Sequence, residues 1–369
     1  MKIAYIALKA LPFIGGIEKY TEELGSRLVG DGHEVVVYTS AVIDKREKEY
    51  LGMKIIPIAT PNAKGFQRII LSHIALLKAT FSNVDIIHIH GFENSLLTFL
   101  PRMFGKKIIL QGHGLEWERD RWSKYGKIYL KMMNYITNKF SYFLFDKATV
   151  VSKYQQNYYL QKYNKKYFYI PTGINLAYYK SRNIISEKFD VLKQPYILFA
   201  ARLVPEKGAH FLIEAFNKCN LNVTLVIAGD TETEIEYKNQ LLELSGGNSK
   251  ILFVGYVSGE LFASLMSNAD LFILPSTLEG LPITLFEAMS YNVPTLSSDI
   301  PPNLEATENG KYGIHFKNKF IDDLSKKINF VFEHYQDIKL KSQDAKKHVE
   351  KNYTWVNIYQ KFTKLYNIK

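Results

Sequence analysis

Two carboxylates eight residues apart stand out in the segment Glu279-Gly280-Leu281-Pro282-Ile283-Thr284-Leu285-Phe286-Glu287. The apolar run Leu271-Phe272-Ile273-Leu274-Pro275 before them reads as a buried strand. Glu279 then falls in the following loop, and Glu287 falls inside the helix after it. Pro282 suits the first helical position, where its missing N–H would have no partner anyway. The N–H groups of Ile283, Thr284 and Leu285 would then be open to a phosphate or diphosphate. Glu287 would sit about 7 Å further along the axis, close to the separation of a diphosphate and a ribose. The order loop acid, helix end, helix acid thus matches the order sugar, diphosphate, ribose. The plain alternative is a connecting loop with one surface acid and one helix-stabilising acid.

A second cluster is Ala201-Arg202-Leu203-Val204-Pro205-Glu206-Lys207-Gly208. Here Arg202 leaves a strand and Lys207 opens a helix. A cation at a helix start opposes the macrodipole. An anion bound there would remove the conflict, and Arg202 with Lys207 could clamp a diphosphate and neutralise it as it leaves. The plain alternative is a surface ion-pair loop around Glu206.

Weaker signals lie earlier in the chain. Gly15-Gly16 follows the first strand and would let backbone approach a ligand closely. The dinucleotide fingerprint is missing, and the second strand ends in Tyr38-Thr39-Ser40 without a ribose-binding acid. His113 lies between glycines in Gln111-Gly112-His113-Gly114 at another strand end, where it could touch a transferred group. His88 and His90 alternate with Ile87 and Ile89; they read as structural, with His90 nearer the ligand. A third metal ligand at suitable spacing is not evident, and no Asp-x-Asp occurs, so a catalytic metal is not required. The acidic run from Asp230 to Glu236 reads as the opening of a helix.

The elements that must position these residues alternate strand and helix throughout. In the first half the strands are Ile3 to Ala7, Val35 to Tyr38, Asp85 to His90, Lys107 to Gln111 and Ala148 to Ser152, with a helix near Glu18 to Asp31. A polar stretch, 181–194, reads as a linker. The pattern restarts with strands Tyr196 to Ala200, Val223 to Ala228, Ile251 to Val254, Leu271 to Leu274 and Thr295 to Ser297. The chain ends in an aromatic-rich helix, Thr354 to Asn367. Such alternation predicts an α/β fold: two Rossmann-like doubly wound parallel-sheet domains, with ligand in the cleft between their strand ends. The expected domains are 1–180, joined by the terminal helix 352–369, and 195–351.

Bulk properties narrow the class. The 369 residues suffice for two domains, and the single cysteine, Cys219, excludes an internal disulfide. Cys219 is expected as a packed thiol in a helix over Ala209 to Asn220, and a single cysteine fits a reducing compartment. No apolar run is long enough to span a bilayer, and Met1 to Leu11 reads as a first strand rather than a leader. The net charge of +11 is uneven: residues 1–180 carry 26 Lys and Arg against 14 Asp and Glu, and the remainder carries 21 against 22. The first half is therefore expected to meet something anionic. The segment Arg119 to Lys147 has seven Lys and Arg, two Asp and a row of aromatics. It reads either as a basic amphipathic helix for an anionic membrane surface or as a domain helix with a solvated basic face. No nucleic-acid module is recognised.

Taken together, the chain resembles the GT-B glycosyltransferases of the large retaining family 4. The resemblance is carried by Gly15-Gly16-Ile17-Glu18, Gly32-His33-Glu34-Val35, Asp85 to His90, the His113 loop, Pro171-Thr172-Gly173-Ile174, Arg202 through Lys207-Gly208, and the E-x7-E segment Glu279 to Glu287. The Trp355 helix is similar to the one that crosses back onto the first domain in that family. The resemblance implies that Arg202 and Lys207 hold the donor diphosphate and that Glu287 holds the ribose. It places Glu279 at the donor sugar and Gly255, Tyr256 and Val257 at the base. The turn Gly280, Leu281, Pro282 and the helix start Ile283, Thr284 complete the donor side. Gly15, Gly16 and His113 lie on the acceptor side, with Gly16 and His113 approaching the donor. Thr172, Asn175 and Ala201 depart from the residues commoner there.

The implied activity is transfer of a hexose from a UDP- or GDP-sugar to a hydroxyl of a glycan or lipid-linked glycan. Retention of configuration, no metal and no cofactor are implied with it. The implied place is the cytoplasm, peripheral on the inner face of the membrane. Two alternatives remain open: a nucleotide-sugar epimerase or phosphorylase on the same fold, and a non-catalytic two-domain sugar-binding protein.

Overall fold

The computed structural model describes every residue except 7, 14, 44–47, 62–66, 121, 190–192, 232, 233 and 369, and the side chain of residue 186. Expectations that touch Ala7, Arg121, Glu232 and Thr233 therefore lie outside the described residues. The chain forms two compact units, Met1–Gly173 with Trp355–Lys369, and Ile174–Thr354.

The first unit holds eight strands: β1 (Lys2–Ile6), β2 (Glu34–Ser40), β3 (Lys48–Tyr50), β4 (Met53–Ile58), β5 (Ile86–His90), β6 (Lys107–Gly112), β7 (Lys147–Val150) and β8 (Phe168–Tyr169). Their order is β3-β4-β2-β1-β5-β6-β7-β8. All pairs are parallel except β3 with β4. Side chains alternate across a strand, so each sheet face gathers its own core. Ala4, Ile6, Ile87 and Ile89 pack on one side with the Gln67–Thr80 helix. Ile3, Tyr5 and Ile86 pack on the other with the Gly16–Gly30 helix and the terminal Trp355–Tyr366 helix. His88 and His90 share that second face through the same alternation.

The second unit is a six-stranded parallel sheet. Its strands are β9 (Tyr196–Ala200), β10 (Thr224–Ala228), β11 (Ile251–Gly255), β12 (Leu271–Leu274), β13 (Thr295–Ser298) and β14 (Ile314–Phe316). The order β11-β10-β9-β12-β13-β14 is that of the doubly wound dinucleotide-binding sheet, with its reversal between β9 and β12. Ile197, Phe199, Leu225, Ile227, Leu271 and Ile273 form the core on one face.

Several expected boundaries shift. The second unit begins at Ile174, and the 181–194 stretch belongs to it rather than linking two domains. It carries a short helix, Asn183–Lys188, beside hydrogen bonds from Ser264 Oγ to the Ser181 carbonyl and from Asn268 Nδ2 to the Lys180 carbonyl. Arg119 to Lys147 is not one long helix: it holds Lys124–Lys139 and Ser141–Leu144, broken at Phe140. Cys219 lies past the end of the Ala209–Asn217 helix, with its thiol 3.3 Å from Ser325 Oγ. The helix after the acidic run begins at Ile235, and Asp230 instead pairs with Lys238 at 2.8 Å. β3, β4, β8 and β14 were not marked by the sequence pattern, being short, at the sheet edges or, in β4, interrupted by Pro57.

Candidate functional site

In an open parallel sheet, ligands collect beyond the carboxyl ends of the strands where the order reverses. In the second unit that point is flanked by the loops after β9 and β12, which carry Arg202, Lys207 and Glu279. The two loops are fastened together. Thr277 N–H donates to the Glu206 carbonyl at 2.8 Å. Gly208, at φ +71°, lies so near Pro275 that a Cβ there would stand 2.1 Å from the Pro275 carbonyl oxygen. Only glycine tolerates both the left-handed backbone and this approach. A short turn, Pro205–Lys207, precedes Gly208 and delivers the lysine to the neighbouring loop. Lys207 Nζ meets Glu279 Oε1 at 2.6 Å, with side chains 18% and 6% exposed. Lys207 thus ends a turn before the helix instead of opening the helix itself, and it pairs with Glu279. Arg202 is exposed just after β9.

The Ile283–Ser290 helix starts one residue later than the sequence pattern suggests, with Pro282 as its cap. This changes which N–H groups are open. Ile283 N–H donates to Leu281 O at 3.0 Å and Leu285 N–H to Pro282 O at 3.1 Å. Among the described residues, Thr284 N–H alone of the three expected donors has no backbone acceptor. Gly280, Leu281 and Pro282 are buried beneath this turn, and Glu287 lies half-buried in the second turn of the helix. Gly229 N–H donates to Gly255 O at 2.8 Å, which draws the end of β11 to the loop after β10. Gly255 has φ +69°, Tyr256 is exposed and Val257 is buried.

In the first unit, Gly15 caps the Gly16–Gly30 helix and the buried Glu18 folds back over it. A Cβ at Gly15 would lie 2.1 Å from Glu18 Oε2, whereas one at Gly16 would meet nothing within 4 Å. A side chain at Gly15 would thus have to displace the Glu18 carboxylate, and the space over Gly16 is open. His113, just after β6, has Nε2 2.9 Å from His90 Nδ1. His90 Nε2 is 3.0 Å from Thr21 Oγ1, which donates to Ile17 O at 3.0 Å. With the Thr21 proton on Ile17 O, His90 Nε2 would carry a hydrogen and its Nδ1 would accept from His113 Nε2–H. His113 Nδ1 is then left as an acceptor.

Burial, reinforced by Arg68 and Arg119 and opposed by Glu116, holds the His113 pKa down to about 3. Burial, then His113, does the same for His88, to about 3. His90 is also held well below the ordinary range, chiefly by burial. All three rings are neutral at pH 7. His113, Arg68, Glu93 and Glu116 line a small cavity of about 20 Å³, room for one water-sized group. Thr21, Arg68, Glu93 and Glu116 escaped the sequence reading, because nothing in their spacing links them to His113. His88 is structural as expected: its Nδ1 lies 2.5 Å from Tyr366 OH in the core. Among the described residues no group of three His, Cys, Asp or Glu could hold a metal ion.

Comparisons with known proteins agree with this architecture. The family profile "Glycosyl transferases group 1" matches residues 181–351, and "Glycosyltransferase Family 4" matches 14–178, together nearly the whole chain. An uncharacterized glycosyltransferase of Methanocaldococcus jannaschii is 26% identical over 100% of this chain and 98% of its own length. Sucrose-phosphate synthase from Thermosynechococcus elongatus superposes with a TM-score of 0.84 at 18% identity, covering 100% of this chain and 98% of that one. Anabaena HepE, solved in complex with UDP-glucose, gives 0.81 at 19% identity, covering 100% and 99%. At these identities the structural likeness shows the fold, which is GT-B. The chain belongs to the glycosyl transferases group 1, family 4, and is a glycosyltransferase.

Proposed function

We propose that this glycosyltransferase moves a hexose from a UDP- or GDP-sugar to a hydroxyl of a glycan or lipid-linked glycan, with retention of configuration and without a metal. The observation that carries the reading is the Lys207–Glu279 pair at the β9/β12 reversal. It fixes a cation beside an acid at the place where a sheet of this order receives a nucleotide. In this reading Lys207 and Arg202 neutralise the diphosphate as it departs. Thr284 N–H adds one helix-end donor, and Gly280 to Ile283 shape the turn around it. Glu279 meets the donor sugar and holds Lys207 in place. Glu287 takes the ribose hydroxyls, and Gly255, Tyr256 and Val257 bound the base. UDP is the first nucleotide to try, because the similar fold of HepE is solved with UDP-glucose.

On the acceptor side, His113 presents Nδ1 as a neutral hydrogen-bond acceptor, and the open space over Gly16 admits a ligand against bare backbone. The Glu279 carboxylate is engaged by Lys207 rather than left open as an enzymic nucleophile. Departure and attack on the same face of the sugar therefore fit better than a double displacement, with the leaving diphosphate taking the acceptor proton. A screen of UDP- and GDP-sugars with and without EDTA tests the proposal. The expected result is turnover of one donor that persists in the chelator. Activity abolished by EDTA, or a trapped covalent glycosyl-enzyme at a carboxylate, would contradict it.

A further inference from the structure

The Lys124–Lys139 helix is apolar on two sides. Its inward face mixes the buried Leu130 and Met133 with polar side chains. Asn134 Nδ2 donates to Tyr163 OH at 3.0 Å, Tyr167 OH donates to Asn138 Oδ1 at 2.7 Å, and Thr137 Oγ1 meets Ser95 Oγ at 2.6 Å. Its outward face carries Tyr125, Ile128, Met132 and Tyr135, spaced three, four and three residues apart, so they form one stripe. All four are exposed, Tyr125 to 84%. The stripe continues past Phe140 into Tyr142, 82% exposed, and Phe143.

A neighbouring element adds to it. The Phe99–Met103 helix exposes Met103 to 77%, and Arg102 from the same helix bonds the Tyr142 carbonyl and pairs with Asp146 at 3.0 Å. Phe104 packs its ring 5.3 Å from that of the exposed Phe81. Separate elements therefore bring large apolar side chains to one region of the surface, more than a solvated domain face ordinarily shows.

The charge around this surface selects the occupant. The Lys124–Lys139 helix carries Lys124, Lys127, Lys131 and Lys139 and no acid. Lys124, Lys131 and Lys139 are exposed beside the stripe. Apolar and tyrosine side chains flanked by lysines match the boundary of a bilayer with anionic headgroups: the stripe enters the acyl edge and the lysines meet the phosphates. No described helix is long and apolar enough to cross a membrane, so contact through these helices would be at the surface. We propose that the Tyr125–Tyr135 stripe, with Tyr142, Phe143 and Met103, is a docking surface for an anionic lipid bilayer. This goes beyond the assignment of donor and acceptor and does not depend on it.

Vesicle sedimentation tests the proposal, using phosphatidylcholine alone and phosphatidylcholine with about one third phosphatidylglycerol. The intact chain is expected to pellet with the anionic vesicles only, and less so as salt rises. Lys124→Gln with Lys131→Gln should weaken partitioning about 25-fold, near fivefold per lysine. Ile128→Ser with Met132→Ser should weaken it about tenfold or more. Both variants change exposed positions, so each should keep the melting temperature of the parent. Absence of binding to anionic vesicles, or equal binding by parent and variants, would overturn the assignment. So would a dimer in sedimentation equilibrium that Ile128→Ser with Met132→Ser dissolves, because the stripe would then be an interface between copies.

Discussion

Lys207 and Glu279 are separated by 72 positions in sequence and by 2.6 Å in the structure. Their mutual dependence is the sharpest statement the site makes. A partly buried ion pair is worth most when both partners are present, since removing one leaves a desolvated charge behind. Lys207→Ala is expected to lower kcat/KM about 100- to 1000-fold, the usual scale for losing one charge-stabilising group. Glu279→Gln should also be impaired, and the double variant should be little worse than Lys207→Ala. A double-mutant cycle on kcat/KM checks this, with a coupling of about 1 kcal/mol or more expected and strict additivity contradicting the pairing. Both residues were legible in the sequence, each within its own motif. Their contact was not, because it depends on a glycine that lets one loop lie against the carbonyl of another. Pro282 was legible as a helix-start residue, but its place one residue earlier than expected leaves Thr284 as the open N–H. Glu93 and Glu116, which line the cavity beside His113, carried no such signal.

At the scale of elements, β5 and β6 explain why three histidines gather, His88 and His90 buried and His113 half-buried. Strand alternation turns His88 and His90 to the face covered by the Gly16–Gly30 and Trp355–Tyr366 helices. His113 follows the next strand and completes the line. The consequence is a pH dependence with a definite sign. In the unfolded chain these rings take a proton near pH 6.5, whereas in the folded chain His88 and His113 resist it down to about 3. The unfolded state therefore binds more protons between these values, and stability falls as pH drops from about 6.5 towards 3. Above pH 6.5 the histidines contribute no slope. Urea unfolding at a series of pH values should show this loss, and His88→Gln should flatten it. Greater stability at pH 5 than at pH 7.5, with His88→Gln removing the gain, would contradict the burial described. The strand pattern of Ile86 to His90 made the alternation readable from sequence; the Tyr366 and Thr21 partners were not, since they come from distant helices.

At the scale of the whole molecule, the chain divides into two sheets and then returns its last helix to the first of them. Trp355, Ile358, Phe362 and Tyr366 are buried in the first unit's core. Gly173 lies under Trp355 so closely that a Cβ would come within 2.6 Å of the indole. Trp355→Ala should cost about 3–5 kcal/mol of stability, the range for emptying a large aromatic site. Chemical unfolding monitored by the first unit's hydrogen exchange should report it, and a loss under 1 kcal/mol would show that the returning helix does not support that core. The repeated strand–helix alternation made both sheets legible. The unit boundary was less so, because the polar composition of 181–194 resembles a connector while its Ser181 carbonyl and Arg182 are held by Ser264 and the Asn268 carbonyl of the second unit.

The central claim is that the second unit grips a nucleoside diphosphate with Arg202 and Lys207 at the β9/β12 reversal. Isothermal titration of UDP and of GDP into the intact chain, Arg202→Ala and Lys207→Ala tests it most directly. One nucleotide should bind the parent in the micromolar range, about tenfold or more tighter than it binds either variant. Neither nucleotide binding, or both variants binding as tightly as the parent, would contradict the account.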